Sequence, residues 1–274
     1  MAKLLNGSEL VGYIQERQAK QVRALRQAWH THPKLVIIKT PGSSQAIDAY
    51  VRMKRAYGDD ILIETVVDTV PVDELAGSLA TYNADPTVHG IIVQLPLDDP
   101  TKTDEIVNLI DPAKDVDGLG RQAKFDSATA EAINWLLTGY GVELSNKKIT
   151  IVGNGRLVGG PLSQMWHASG YDVTVLDDTT KDISSILRQS NIIVSATGVP
   201  RLLTPDMIPP RAVVVDAGTA SEDGVLVGDV DPRVRERNDI TITPERGGVG
   251  PLTIAALYDH VITAARATIP ADQL

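Results

Sequence analysis

Short runs of β-branched residues alternate with amphipathic segments of helical length along most of the chain. The alternation begins with a surface helix predicted over Ser8–Trp29, the strand Leu35–Ile38, and a helix that a serine of Pro41–Ser44 would cap and that reaches Gly58. Parallel strands need long crossover connections, which helices supply, whereas hairpins need only short turns. The alternation therefore predicts an α/β protein built on parallel sheets.

The remaining predicted elements continue this pattern. They are the strand Ile61–Ile63, a helix around Val72–Tyr82, the strand Val88–Leu95, a helix near Ala128–Leu137, the strands Lys148–Val152, Asp172–Leu176, Asn191–Val194, Ala212–Asp216 and Ile240–Ile242, and a helix from Pro251 to about Ile269. The later strands follow the doubly wound pattern of nucleotide-binding domains. We expect an N-terminal α/β domain of residues 1–120, joined by the returning C-terminal helix over 252–274, and a Rossmann-like domain of residues 121–251.

Composition excludes several classes of protein. A chain of 274 residues that is 43% hydrophobic can bury the cores of about two domains. With a formal net charge of -9, the chain lacks the positive electrostatic field that attracts nucleic acids and anionic membranes. The absence of cysteine excludes disulfides, thiolate metal sites and a cysteine nucleophile. Without a signal peptide or an apolar run near the roughly 20 residues of a membrane span, we expect a cytoplasmic protein with small-molecule partners.

Two chemically capable side chains share the apolar face of the second predicted helix. Ile47, Tyr50, Val51 and Lys54 fall at helical spacing. Lys54 has a structural interpretation, in which its stem packs while its ammonium reaches water, and Tyr50 could belong to the core. In the functional interpretation, a cleft desolvates the ammonium and eases its deprotonation. Spacing alone leaves both open.

Polar side chains also follow the predicted strand that ends near Leu95. Gln94 lies at its carboxyl end, where parallel sheets bind ligands, although a satisfied strand-end amide would look the same. In Lys114–Gly118, Asp115 and Asp117 flank a valine. One carboxylate could accept paired N–H donors from an amidine-like heterocycle, or the segment could be a solvated turn.

The strand–glycine loop Ile151–Pro161 is the stronger signal. Glycines at such a turn let backbone N–H groups approach a phosphate at a helix N-terminus. Asp177 and Asp178 end the next strand, near the roughly 20-residue spacing of a ribose-binding carboxylate. We interpret the loop as a dinucleotide site, with a tight strand–helix turn and solvated aspartates as the alternative.

These motifs occur together in one order. They are Tyr50 with Lys54, Val93–Leu97, Lys114–Gly118, Val158–Pro161, Gly228–Asp231 and Gly247–Pro251. The combination closely resembles the bifunctional methylenetetrahydrofolate dehydrogenase/methenyltetrahydrofolate cyclohydrolase family, often called FolD, over essentially the whole chain. The resemblance implies oxidation of 5,10-methylenetetrahydrofolate with NADP or NAD and hydrolysis of the 5,10-methenyl product to 10-formyltetrahydrofolate. It also implies a homodimer that serves purine biosynthesis.

The resemblance implies that the N-terminal α/β domain is a folate-binding catalytic domain and that the second domain binds a nicotinamide dinucleotide. It also assigns roles to residues of both domains. The folate would lie in the cleft between them, where Lys54 is the central catalytic group, Gln94 tunes it, Tyr50 orients the folate and Asp117 holds the pterin. Gly248 and Pro251 would complete the substrate site. The residues implied for the dinucleotide are Gly153, Asn154, Gly155, Arg156, Val158, Gly159, Asp177, Asp178, Thr197 and Gly198.

The chain departs from the family pattern at several positions. Gly153–Gly155 replaces Gly-Arg-Ser, and Asp177–Asp178 replaces His-Ser. Because an acidic strand end suits a free ribose hydroxyl and repels a 2′-phosphate, we predict a shift toward NAD, with Arg156 close enough in sequence to rescue NADP. Three further replacements put the loop geometry and the balance of activities in doubt: Ile47 for serine, Ser127–Ala130 for Pro-Cys-Thr-Pro and Arg246 for proline.

Rival functions remain to be weighed against this one. A dehydrogenase with weak cyclohydrolase activity would not need Tyr50, Lys54 and Gln94 together, and a shikimate-type or amino-acid dehydrogenase has no reason to carry the Gln94 and Asp117 motifs. A non-catalytic nucleotide- or folate-binding protein would bind without turnover. We expect no metal site, because the histidines form no convincing ligand spacing with carboxylates; they are His30, His32, His89, His167 and His260.

Overall fold

The computed structural model describes residues 2–222 and 225–270, which form two compact units. The three-stranded unit comprises Gly12–Ala128 and Ile254–Leu274, and the six-stranded unit comprises Met1–Val11 and Thr129–Thr253. The helices are α1 (Gly7–Ala28), α2 (Gln45–Asp60), α3 (Leu75–Ala84), α4 (Thr103–Val107), α5 (Ala128–Gly139), α6 (Gly159–Ala168), α7 (Ile183–Leu187), α8 (Pro232–Arg235) and α9 (Val249–Ala267). Short 3₁₀ helices span Val72–Glu74, Pro100–Lys102 and Pro205–Met207.

The strands form parallel sheets and one antiparallel hairpin. They are β1 (Lys3–Leu4), β2 (Lys34–Lys39), β3 (Glu64–Thr69), β4 (Gly90–Val93), β5 (Ile149–Val152), β6 (Val173–Leu176), β7 (Ile192–Ser195), β8 (Val213–Asp216), β9 (Ala220–Glu222), β10 (Val225–Val227) and β11 (Thr241–Ile242). The two-domain α/β class predicted from the sequence is confirmed. Among the helices of residues 2–222 and 225–270, none is long and apolar enough to cross a membrane.

The three-stranded unit is built on the parallel sheet β3-β2-β4. Its central strand, β2, buries Leu35 through Ile38 completely, as expected for a strand covered on both faces. One side of the sheet packs with α3 in a cluster that includes Val36, Ile38, Leu75 and Leu79. The sheet therefore holds the carboxyl ends of β2 and β4 side by side.

The C-terminus of α3 is closed by a lysine from a later loop. The Lys114 ammonium donates to the carbonyl oxygens of Tyr82, Asn83 and Asp85 at 3.1, 2.8 and 2.7 Å. Carbonyl groups in the last turn of a helix lack intrahelical donors, and the helix dipole favours a cation there. Lys114 thus satisfies this end of α3 and fixes the start of the segment that carries Asp117.

The strand predicted at Ile61–Ile63 is wrong. Ile61 follows the end of α2, Leu62 has a positive φ of 66°, and the Ile63 N–H donates to the Gly58 carbonyl at 2.9 Å. Ile61 and Ile63 are buried where the helix turns into β3, which starts one residue later at Glu64. A short apolar run has no periodicity to separate a strand from a buried helix end.

The six-stranded unit is a parallel sheet with the order β1-β11-β8-β7-β5-β6. The strands expected from Lys148 onward are confirmed as β5, β6, β7, β8 and β11. The chain leaves β5 for β6 on one side and then returns to β7 on the other. Ligands bind outside the carboxyl ends of the strands at such a reversal.

The N-terminal segment differs from the domain division expected from the sequence. Lys3 pairs in parallel with Thr241, so β1 is an edge strand of the six-stranded sheet, although residues 1–120 were expected to form one domain. A strand of only two exposed residues carries no alternating pattern from which to predict it. The last helix, α9, starts among residues grouped with the six-stranded unit and continues among those of the three-stranded unit from Ile254.

Candidate active site

A buried lysine lies at the carboxyl edge of the three-stranded sheet. Ser44 caps α2 by accepting the Ile47 N–H at 3.3 Å, and this start places Lys54 on the helix face that packs inward. Lys54 is only 7% exposed, and its ammonium donates to Gln94 Oε1 at 2.9 Å. Gln94 follows β4 directly, and its own backbone N–H donates to the Ile38 carbonyl of β2 at 2.8 Å. The structure thus brings Lys54 and Gln94 together.

The environment of Lys54 weakens its hold on a proton. Burial lowers the pKa of the Lys54 ammonium, and the charge of Asp117 raises this pKa by a smaller amount. Gln94 contributes only a neutral acceptor, because its amide nitrogen donates to the Leu95 carbonyl at 3.2 Å. An ammonium that reaches water while its stem packs does not fit these contacts. The site instead presents a desolvated amine that releases its proton more easily than a surface lysine.

Tyr50 lies one helical turn before Lys54 and is half-buried. Burial raises the pKa of the Tyr50 phenol, so the group stays protonated at neutral pH. A protonated phenol offers one hydrogen-bond donor and an aromatic face. Tyr50 therefore lies where it could orient a planar ligand beside Lys54.

The structure gives Asp115 and Asp117 different environments. Asp115 is 1% exposed, and its carboxylate accepts the N–H groups of Gly118 at 3.1 Å and Gly120 at 2.7 Å. Burial raises the pKa of Asp115, and these backbone donors oppose that shift. Asp117 is partly exposed, and its carboxylate accepts no hydrogen bond from the residues that the structure describes. The turn interpretation applies to Asp115, whereas the Asp117 carboxylate remains available to a ligand.

A histidine of α9 forms a hydrogen bond to the turn that carries Asp117. The Val116 carbonyl lies 2.8 Å from His260 Nδ1, and a carbonyl can only accept, so this nitrogen carries the proton. The His260 ring stacks on Phe125 at a centroid distance of 4.7 Å. The sequence predicts for His260 only that it is not a metal ligand. Its place on the apolar stripe of α9, three residues after Leu257, was the available signal.

The glycine loop of the six-stranded unit follows β5 and precedes α6. Gly153 has a positive φ of 99°, and a Cβ there would lie 2.5 Å from the Ala196 carbonyl oxygen. Gly159 begins α6 with its Cα against the Gly153 carbonyl, where a Cβ would collide. The loop therefore packs directly against the segment that follows β7, on the two sides of the topological reversal. This is the crevice where doubly wound sheets bind nucleotides.

The loop also exposes the groups that a phosphate requires. Asn154, Gly155 and Arg156 are exposed, and a Cβ on Gly155 would meet nothing within 4 Å. Val158 precedes the first turn of α6, a helix of 10 residues whose N-terminal N–H groups favour an anion. The backbone geometry of this loop fits a dinucleotide phosphate.

A buried aspartate anchors the segment across the crevice. Asp229 is fully buried, and its Oδ2 accepts the Thr197 N–H and the Ser195 hydroxyl, both at 2.7 Å. Gly198 follows with a positive φ of 68°. Asp229 belongs to the Gly228–Asp231 motif, for which sequence reasoning gave no role. This contact holds Thr197 and Gly198 at the carboxyl end of β7.

The paired aspartates after β6 have separate surroundings. Asp177 Oδ1 accepts the Thr179 N–H at 3.0 Å and the hydroxyls of Thr179 and Thr180 at 2.7 and 3.1 Å. These side-chain donors lower the pKa of Asp177, so it is ionised. Asp178 is exposed, and no hydrogen bond to its carboxylate is found within the described ranges. Asp177 shapes the turn, while Asp178 adds an unengaged negative charge.

Gly248 and Pro251 lie where α9 begins. A Cβ on Gly7 would collide with the Gly248 carbonyl, so the first residues of α1 and α9 are in close backbone contact. Pro251 occupies the first turn of α9, as the sequence predicts. Both belong to the six-stranded unit, whereas Tyr50 and Asp117 belong to the three-stranded unit. Their joint part in a substrate site stays a prediction.

Comparisons with known proteins match both units. Residues 5–117 match the family model "Tetrahydrofolate dehydrogenase/cyclohydrolase, catalytic domain", and residues 127–269 match "Tetrahydrofolate dehydrogenase/cyclohydrolase, NAD(P)-binding domain". The "Bifunctional protein FolD" of Aquifex aeolicus is 37% identical, over 94% of this chain and 93% of its own length. The relative of the same name from Sulfurovum sp. is 34% identical, over 96% and 99%.

A solved structure agrees with this similarity. The crystal structure of the bifunctional enzyme FolD, methylenetetrahydrofolate dehydrogenase/cyclohydrolase, from Campylobacter jejuni superposes with a TM-score of 0.91 at 33% identity. The match covers 98% of this chain and 100% of that chain. Both units of the fold therefore have counterparts in one enzyme.

Proposed function

Since the chain belongs to the tetrahydrofolate dehydrogenase/cyclohydrolase family, we propose that it oxidises 5,10-methylenetetrahydrofolate with NAD or NADP and hydrolyses the 5,10-methenyl product to 10-formyltetrahydrofolate. The observation that carries the proposal is the buried Lys54 ammonium bonded to Gln94. Burying a cation lowers stability unless it is paired, and Gln94 offers no opposing charge. Such an amine is explained by chemistry that needs a proton acceptor near neutral pH.

The hydrolytic half of the reaction assigns proton transfer to Lys54. A water molecule forms a bond to the cationic methenyl carbon and loses a proton to Lys54 Nζ. The bond from that carbon to N5 then breaks as N5 receives the proton from Lys54, and the hydroxyl on the carbon loses its own proton to the solvent, which leaves a formyl group on N10. Gln94 Oε1 holds the amine in place through this transfer. General acid–base catalysis of this kind is most efficient when the pKa of the group lies near the working pH.

The oxidative half depends on positioning more than on proton transfer. A bound nicotinamide supplies the acceptor for the hydride that leaves the methylene carbon. The residues of the chain bind and orient the dinucleotide: the Gly153–Gly159 loop and the first turn of α6 hold its phosphates, and Thr197 and Gly198 border the crevice from β7. Their fit to a phosphate rests on the close backbone packing at Gly153 and Gly159.

Four residues are proposed to hold the folate. Tyr50 presents its ring and phenol beside Lys54, and the unengaged Asp117 carboxylate accepts paired N–H donors from the pterin. Gly248 and Pro251 join them because they match positions of the family pattern. The turn around Asp115 supports Asp117, since two backbone N–H groups lock it.

We propose that NAD is preferred over NADP. Asp177 is ionised by its threonine contacts, and Asp178 is a second exposed carboxylate one residue later. Two negative charges at this strand end repel a 2′-phosphate and suit a ribose hydroxyl. Asn154 stands where the family usually carries the arginine that attracts this phosphate. Arg156 is the cation of the loop that would oppose the preference.

We also propose that the protein is a homodimer, that it works in the cytoplasm and that it supplies purine biosynthesis. We propose no nucleic-acid or membrane partner. Support comes from the net charge of -9 and from the family. Sedimentation equilibrium of the purified chain tests the dimer, and a monomer at micromolar concentration contradicts it.

Initial rates test both activities in one experiment. Purified protein is given 5,10-methylenetetrahydrofolate with NAD or NADP in separate reactions, while reduced cofactor and methenyl absorbance are followed. The proposal expects reduced cofactor without lasting methenyl accumulation, and a lower KM for NAD. Stoichiometric accumulation of the methenyl product would contradict the cyclohydrolase, and no turnover with either cofactor would contradict the enzyme altogether.

A further inference from the structure

A fully buried tyrosine contacts the backbone of the proposed catalytic lysine. The Tyr258 hydroxyl donates to the Lys54 carbonyl oxygen at 2.8 Å, and Tyr258 is 0% exposed. The same hydroxyl lies 2.7 Å from Thr65 Oγ1. Lys54, on α2, is thereby connected to α9 through Tyr258 and to β3 through Thr65.

The donor in each of these hydrogen bonds follows from the carbonyl group at one end of the chain. A carbonyl oxygen can only accept, so the Tyr258 proton points at Lys54. The Thr65 hydroxyl must then donate to the Tyr258 oxygen. Burial raises the pKa of the Tyr258 phenol well above its ordinary value, which keeps this proton in place. The result is an ordered chain from Thr65 through Tyr258 to Lys54, in which each bond polarises the next.

Gly58 provides the space for this chain. A Cβ at Gly58 would collide with Thr65 Oγ1 and lie 2.6 Å from the Tyr258 hydroxyl. Glycine is unfavourable inside a helix, so its presence in α2 calls for a local reason. The close approach of the two hydroxyls to the turn after Lys54 is that reason.

The chain of hydroxyls connects Lys54 to the sheet that carries its partner. Thr65 pairs with Leu35 of β2, and Gln94 is bonded to Ile38 of the same strand. The contact between Lys54 Nζ and Gln94 Oε1 depends on how α2 lies over this sheet. The hydrogen bonds from Thr65 of β3 to Tyr258, and from Tyr258 to the Lys54 carbonyl, fix α2 at the turn that carries Lys54.

We propose that Tyr258 is a positioning residue for Lys54, acting with Thr65 through the backbone of α2 to hold the lysine against Gln94. This inference rests on the proposed function of Lys54. Among the described residues, Asp117 is the charged group that faces the Lys54 ammonium from another element, and Tyr50 lies one turn away on α2 itself. Tyr258 acts on the backbone side, so it changes the position of Lys54 without adding or removing a charge at the site.

The chain contains a matched control for the loss of a buried hydroxyl. Tyr57 stacks on Tyr258 with a centroid distance of 5.3 Å, and its hydroxyl donates to Gln18 Oε1 at 2.7 Å. Tyr57→Phe therefore removes one hydroxyl from the same pair of rings without touching the Lys54 carbonyl. A purely structural role for Tyr258 predicts equal effects of Tyr57→Phe and Tyr258→Phe.

Two readouts separate positioning from folding. In Tyr258→Phe, we expect kcat for methenyl hydrolysis at neutral pH to fall about fivefold, as for the loss of one buried hydrogen bond, with KM for folate unchanged. The pH at which hydrolysis reaches half of its maximal rate should rise in this variant. The pKa of Lys54, measured from its ¹³Cε resonance, should rise by the same amount, because a less tightly held lysine regains contact with water. Thr65→Val should shift both readouts in the same direction by less, and Tyr57→Phe should shift neither.

The outcomes decide the two proposals separately. If Tyr258→Phe and Tyr57→Phe leave the Lys54 titration and kcat equally unchanged, or change them equally, Tyr258 is not a positioning residue. If Tyr258→Phe does not fold, Thr65→Val against Tyr57→Phe gives the same decision. If the unmodified protein does not hydrolyse methenyltetrahydrofolate, the proposed function fails, while the Lys54 titrations still decide the role of Tyr258.

Discussion

Replacing Gly58 with alanine should destabilise the protein, although alanine is the better helix former. Gly58 lies inside α2, where alanine ordinarily adds roughly 0.5–1 kcal/mol to the free energy of unfolding. The added methyl group, however, would occupy the space of the Thr65 and Tyr258 hydroxyls. The local contact and the helix propensity therefore predict opposite signs.

The magnitude follows from what the methyl group would displace. Moving both hydroxyls breaks two buried hydrogen bonds, each contributing about 1 kcal/mol. Forcing an extra carbon into a packed site adds about 1–3 kcal/mol. After subtracting the gain in helix propensity, the free energy of unfolding should fall by about 2–4.5 kcal/mol.

Urea unfolding followed by circular dichroism measures this change, with Gly12→Ala as the control. Gly12 lies inside α1, and a Cβ there would meet nothing within 4 Å, so its replacement should stabilise. A Gly58→Ala protein as stable as the unmodified chain, in an experiment where Gly12→Ala gains stability, would refute the packing argument. It would also weaken the case that Tyr258 holds Lys54.

Two further variants test the two units separately. Lys54→Met should abolish methenyl hydrolysis and leave folate affinity unchanged. Burial lowers the folded-state pKa of Lys54 below the ordinary 10.5, so the unfolded chain binds more protons at pH values between the two pKa values. The unmodified protein should therefore gain stability relative to Lys54→Met as pH rises from the folded-state pKa toward 10.5. Full hydrolysis by Lys54→Met, measured by methenyl absorbance, would contradict its role. Asp178→Asn should lower KM for NADP by about tenfold, the effect of removing one exposed charge near a phosphate, without disturbing the turn that Asp177 holds; an unchanged ratio of the two KM values would exclude Asp178 from cofactor choice.

Local signals predict much of this molecule. Ser44 marks the start of α2, the β-branched runs mark most strands, and Gly153 marks the loop after β5, because each of these depends on a few neighbouring residues. Gln94 was placed at a sheet edge by the general rule for parallel strands. Its contact with Lys54, 40 residues away in sequence, required the registers of β2 and β4 to be known.

Other features depend on distant parts of the chain and left no local pattern. Ile61–Ile63 resembles a strand, yet it closes α2, because the Ile63 N–H donates to the Gly58 carbonyl. Local spacing separates neither Asp115 from Asp117, where only the family resemblance selects Asp117, nor Tyr258 from the apolar stripe of α9. These residues differ in the buried hydrogen-bond donor or acceptor that each one contacts, and the packing of the fold decides that contact.

The Lys114 contact with the end of α3 has a consequence for how the protein opens. One ammonium joins the last carbonyls of that helix to the loop that leads into Asp117, so neither can fray alone without losing three hydrogen bonds. Their backbone amides should therefore exchange with deuterium as one cooperative unit. A ligand that steadies Asp117 would slow exchange in the final turn of α3 as well, far along the sequence from any atom that it touches.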